Sequence, residues 1–97
     1  MSSQEQIAPS ETFEASRSVV ATEQADMAIL MDLRTGRYFT LNPVGGVIWS
    51  ELASGSTVGQ MTSRLTGAYE VSAQQAMLDV QEILSSMLAA KLIKKVR

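Results

Sequence analysis

The stretch Leu33-Arg34-Thr35-Gly36-Arg37-Tyr38-Phe39-Thr40-Leu41-Asn42-Pro43 constrains the fold more than any other part of the chain. Gly36 can supply the positive φ of a tight hairpin turn, so a strand ending at Leu33 must reverse and leave through Arg37 to Leu41. Asn42-Pro43 then opens a helix. The Asn side chain accepts from an early backbone N–H, and proline at the first helical position gives up no donor that the helix needs. A hairpin running straight into a helix leaves few architectures available.

The flanking segments narrow them further. Ser18-Val19-Val20-Ala21 and Met27-Ala28-Ile29-Leu30-Met31-Asp32-Leu33 read as two strands parted by the polar run Thr22 to Asp26, which predicts a three-stranded antiparallel meander. A first helix is expected from Pro43 to about Ala53, with Val44, Val47, Ile48, Trp49 and Leu52 on its apolar side and Ser54-Gly55 as its stop. Thr57 caps a second, in which Val58, Met61, Leu65 and Tyr69 recur at helical spacing. Ser72 and Gln75 form a capping box for a third and longest, which carries Met77, Val80, Ile83, Leu84, Met87 and Leu88. The expected class is α+β, winged helix-turn-helix-like, with a three-stranded antiparallel sheet followed by three helices. Residues 1–16 are rich in Ser, Gln and Glu, with only Ile7 and Phe13 scattered among them, and are expected to be a flexible N-terminal segment. Residues 17–97 then make one domain.

Composition removes much chemistry. The chain has no His and no Cys, so His-dependent triads, thiolate nucleophiles, cysteine-ligated clusters and the usual zinc sites cannot be assembled from it alone. No metal or cofactor is expected. Asp79 and Glu82 stand one turn apart on the third helix and read as a solvated face rather than an acid–base pair. Gly45-Gly46 lacks the Gly-Lys-Ser/Thr ending of a phosphate-binding loop and reads as two small residues that permit close packing. A net charge of −2, and no Lys or Arg between residues 72 and 90, argue against nucleic acid as a partner despite the winged-helix-like pattern. The N-terminus shows no signal-peptide core and no membrane-spanning run, so a cytoplasmic protein is expected. Lys91, Lys94, Lys95 and Arg97 crowd the end of the chain, which suits either a helix C-terminus or a docking patch for an acidic partner.

The third helix carries more apolar surface than one packing seam needs. At about 100° per residue, Ile83, Ala76, Met87, Val80, Leu84, Met77 and Leu88 fill an arc of roughly 140°. Two readings follow: a well-buried terminal helix, or an Ala76, Ile83 and Met87 edge that faces something other than this domain's own core. Beside it runs the third strand, whose edge from Arg37 to Leu41 offers unpaired backbone groups. An extended peptide can add to that edge and place its apolar side chains against the third helix, with Arg37 and Asp79 as polar rims. Strand alternation leaves open whether Tyr38 or Phe39 faces the groove.

The order of residues from Leu33 to Pro43, then Ile48-Trp49, Gly55, Asp79-Val80, Leu88 and Leu92-Ile93, resembles the PqqD-like family of small peptide-binding proteins. These are the recognition elements of ribosomal peptide natural product pathways. Within the family the sequence is most similar to the stand-alone B1 type of lasso peptide biosynthesis. The resemblance covers about residues 17 to 93 and is most specific from Asp32 to Trp49. It implies a non-catalytic protein that binds the leader of a precursor peptide as an added strand. It also implies delivery of that peptide to a separate leader peptidase, of B2 type, and then to a cyclase. Carried onto this sequence, the strand edge is Arg37, Tyr38, Phe39 and Thr40, and the helix wall is Ala76, Asp79, Val80, Ile83 and Met87. No protease domain follows residue 97 in this sequence, so proteolysis is expected from a partner. Two other readings stand beside it: a winged-helix-like scaffold or regulatory domain that meets another protein through the same groove, and a PqqD-type chaperone for a radical enzyme.

Overall fold

The computed structural model describes residues 7–24 and 27–96. Three strands, β2 (Val19–Gln24), β3 (Met27–Asp32) and β4 (Arg37–Leu41), form an antiparallel meander in the order β2-β3-β4. Three helices follow, α1 (Pro43–Ala53), α2 (Val58–Ala68) and α3 (Ala73–Ala89). The architecture is mixed α+β, as the hairpin and the helix caps predict. The chain ends, however, add a second sheet: β1 (Phe13–Ala15) pairs antiparallel with β5 (Ile93–Lys95).

The hairpin between β3 and β4 is held by Asp32. Its main-chain carbonyl accepts from the Gly36 amide at 2.7 Å and the Thr35 amide at 3.2 Å, and Gly36 has φ +74°, the left-handed turn expected of it. The carboxylate of Asp32 is almost wholly buried and accepts from Ser18 Oγ at 2.9 Å, the Arg34 amide at 3.0 Å and Arg34 Nη2 at 3.1 Å. Burial opposes its ionisation, but those hydrogen bonds together with the guanidinium charge outweigh it, and the carboxyl is held below its ordinary value of 3.8. The turn that launches β4 is thereby tied to the strand before it.

Each helix begins where its cap predicts. Asn42 Oδ1 accepts from the Gly45 amide at 2.8 Å, and a β-carbon on Gly45 would lie 3.3 Å from both that oxygen and Leu41 Cβ, so the small residue keeps this corner tight. Gly46, by contrast, has open space beside it. α1 ends in a Schellman turn: Ser56 N–H bonds Glu51 C=O at 3.0 Å, Gly55 N–H bonds Leu52 C=O at 3.0 Å, and Gly55 has φ +85°. The reciprocal capping box sits on α2, between Thr57 and Gln60. At α3 only half the predicted box forms. Ser72 accepts from the Gln75 amide, while the Gln75 side chain turns forward to donate to Asp79 Oδ1 at 2.9 Å.

The core lies between the inner face of the sheet and the helices. Leu30 points inward from β3, beside the buried Ala28, and joins one cluster with Ile48, Trp49 and Leu52 of α1, Met61 and Leu65 of α2, and Ala76, Val80, Leu84 and Met87 of α3. Three expectations change. β2 continues through Thr22 to Gln24, because each added residue finds a partner across β3, down to Gln24 opposite Met27. Of the predicted turn, Ala25 and Asp26 lie outside the described residues, as do residues 1–6 and Arg97. Within the segment assigned to a flexible N-terminus, Phe13 is 1% exposed and Ile7 is also buried. Their neighbours are fixed by main-chain bonds, from Val58 N–H to Glu11 C=O at 3.0 Å and from Gly59 N–H to Pro9 C=O at 2.9 Å. Finally, the basic tail serves the second sheet: Lys94 Nζ lies 3.5 Å from Glu14 Oε2 and Lys95 Nζ 3.0 Å from Glu11 Oε2. Acidic residues near one end of the chain and basic ones near the other meet across a ladder whose register places Glu14 opposite Lys94.

Candidate functional site

β4 is the edge of the meander. Its one hydrogen-bonded neighbour among the described residues is β3, with Leu30 opposite Phe39 and Met31 opposite Tyr38. The outer edge of β4 therefore presents N–H and C=O groups to whatever lies beside it. Next to it opens a cleft of about 480 Å³, bounded by Phe39, Thr40 and Leu41 of β4, by Asn42 and Gly45 at the start of α1, by Glu82, Ile83, Ser86 and Met87 of α3, and by Ala90 at its C-cap. Leu92 contributes from the segment after α3.

The strand resolves the question that alternation left open. Phe39 and Leu41 share a face with Arg37, opposite the buried residues Leu30, Ala28 and Asp32 of β3, and Phe39 lines the cleft. Tyr38 stands on the opposite face, 64% exposed, in a cross-strand row with Met31 and Val20. Arg37 lies with its guanidinium carbon 5.5 Å from the centre of the Phe39 ring, a cation–π contact that lays its stem along the strand edge. Thr40, from the other face, enters at the rim.

The helix wall is narrower than the apolar arc. Ile83 and Met87 line the cleft as expected. Ala76 and Val80 do not, because both are fully buried in the seam between α3 and the rest of the core. Asp79 is half-buried one turn before Ile83, outside the cleft, and is occupied by the Gln75 amide group. In their place come Glu82, Ser86 and Ala90. These follow from the same helix: Ser86 and Ala90 lie three and seven residues beyond Ile83, on the same stripe, and small and polar residues carry no hydrophobic signal in the sequence. Leu41, which ends the strand edge, lines the cleft with its side chain as well, and Asn42, Gly45 and Leu92 join it from outside the strand and α3.

A second depression, about 520 Å³, lies where α1 meets α2 and is bounded by Glu51, Thr57, Gly59, Gln60, Ser63 and Arg64. It is open and polar, spanned by an Arg64–Glu51 ion pair at 3.6 Å, and none of its residues belongs to a strand. Among the described residues no cluster of three metal-ligating side chains occurs, and no helix is long and apolar enough to cross a membrane.

Residues 28–93 match the family of coenzyme PQQ synthesis protein D (PqqD). The chain belongs to the PqqD family. Its fold is similar to that of TbiB1 solved in complex with the TbiA(beta) leader peptide, at TM-score 0.79 and 29% identity over 82% of this chain and 93% of that one. It is also similar to a lasso peptide synthetase B1 complexed with its leader peptide, at TM-score 0.77 and 22% identity over 88% of this chain and 98% of that one. No curated protein matches the sequence. Both of these structural neighbours are B1 proteins with a leader peptide bound.

Proposed function

We propose that this PqqD-family protein binds the leader region of a ribosomally synthesised precursor peptide of the lasso class, by strand addition to β4. The observation that carries the reading is the combination of a β4 edge unpaired among the described residues with an apolar cleft between that edge and α3. Backbone groups along Arg37 to Leu41 supply hydrogen bonds that any extended peptide can satisfy. Phe39, Leu41, Ile83 and Met87 then select its side chains, since a slip of one residue would turn the wrong set toward the cleft. Arg37 marks one end of the strand edge and Asp79 extends the α3 rim. The frame is a winged helix-turn-helix type put to peptide binding, and the B1 complexes of similar fold support that use.

The role is that of a cytoplasmic carrier rather than a catalyst. Bound as a strand, the leader is held extended while the remainder of the precursor is presented to a separate leader peptidase and a cyclase. The test is a titration of the folded protein with a fluorescently labelled leader peptide from the neighbouring precursor gene, against a scrambled peptide of the same composition. Selective, saturable binding is expected. Equal binding of both peptides, or of neither, would overturn the assignment.

A further inference from the structure

Among the described residues, the cleft has one charged lining residue, and it is a carboxylate. Glu82 borders a surface otherwise built from Phe39, Leu41, Ile83, Met87, Ala90 and Leu92 with a few neutral polar groups. Glu82 is exposed and makes no ion pair among the described residues. The other carboxylate on this side of α3, Asp79, already accepts from Gln75 Nε2. α3 carries no Lys or Arg along its 17 residues, so nothing on the helix offsets the charge. Arg37, the cation of the facing strand, rests over the Phe39 ring.

We infer that Glu82 is a specificity determinant that selects a leader with a basic side chain beside its apolar anchor. This rests on the leader-binding reading proposed above. A Lys or Arg fits the place because its apolar stem can lie over Ile83 while its head reaches the carboxylate at the rim. An acidic leader residue at the same position would face the Glu82 carboxylate and be disfavoured. Apolar residues of the ligand thus supply affinity, and the Glu82 contact sets register and composition.

The experiment uses an array of the labelled leader peptide from the neighbouring precursor gene, each position replaced in turn by Lys, Gln and Glu. The array is titrated against the wild-type protein, Glu82→Gln and Glu82→Lys. Wild type should show one position at which Lys binds about two- to fivefold more tightly than Gln, the range of an exposed ion pair, and at which Glu binds more weakly. That preference should vanish in Glu82→Gln and invert in Glu82→Lys. It should also shrink in about 1 M salt, where the screening length is about 3 Å. A wild-type array with the same charge preferences as Glu82→Gln, and leader binding intact, would overturn the role of Glu82 and leave leader binding standing. An array in which no peptide binds the folded wild-type protein would overturn both.

Discussion

Replacing Ile83 by Asp separates the cleft from the core. Ile83 is half-buried on the cleft side of α3, one helical step from the fully buried Leu84. Burying a whole Ile stabilises a fold by about 1.5–3 kcal/mol, so loss of the buried half costs about 1 kcal/mol. A like charge four residues after Asp79 adds about 0.2–0.5 kcal/mol, and the poorer helix propensity of Asp adds a few tenths. The total, about 2 kcal/mol, is well inside the roughly 5–15 kcal/mol typical of a domain, and the variant should fold. A peptide strand closing over the cleft would instead trap a carboxylate without a partner, at a cost of about 3 kcal/mol or more, which is about a hundredfold in affinity. Fluorescence anisotropy with the leader peptide measures the second quantity, and a urea melt the first. Leu78→Asp is the control, because Leu78 is 54% exposed and lies outside the cleft, and it should bind as wild type does. A folded Ile83→Asp protein with wild-type affinity would show that the ligand does not occupy this cleft. A variant that unfolds would move Ile83 into the core and leave the wall drawn one step too far around the helix.

Three further outcomes follow from the frame of the site. Phe13→Ala should destabilise the domain by about 3–5 kcal/mol in chemical denaturation, as for other buried Phe truncations, and a loss below about 1 kcal/mol would return the N-terminal strand to the surface. Lys91 closes α3 at φ +63°, with Leu92 N–H on Met87 C=O at 2.9 Å, so Lys91→Gly should raise stability by up to about 1 kcal/mol; a loss of stability would show that the side chain matters more than the backbone strain. The hydrogen bond from Lys95, aided by the Ala8 amide, holds the Glu11 carboxyl below its ordinary value of 4.5, as the bonds around Asp32 hold that carboxyl below 3.8. Because both pKa values are lowered on folding, their contribution is complete above those ordinary values and is lost as the pH falls through the lowered ones. Urea midpoints should therefore drop on acidification below about pH 4, with a shallower drop in Asp32→Asn.

The parts of this fold that were legible in the sequence are those set by local chemistry. Gly36, Asn42-Pro43, Thr57 and Ser72 each act on backbone groups within a few residues, and each does so in the structure. The β1–β5 ladder was not legible, because strands of three residues carry no usable alternation and their partners lie at opposite ends of the chain. Only the opposed charges of Glu11 and Glu14 against Lys94 and Lys95 hinted at it, and a helix terminus explained the lysines equally well. The site was half legible for a related reason. A helical wheel gives the apolar face of α3, but only the position of neighbouring elements divides that face into Val80 and Ala76, which are sealed, and Ile83, which is open to the cleft.

Hydrogen exchange at single-residue resolution, with and without the leader peptide, tests strand addition most directly. Backbone amides along Arg37 to Leu41 that point away from β3 should gain protection on binding, at alternate residues as an added strand requires. Protection confined to α2 or to β2, with the β4 edge exchanging as in the free protein, would contradict it.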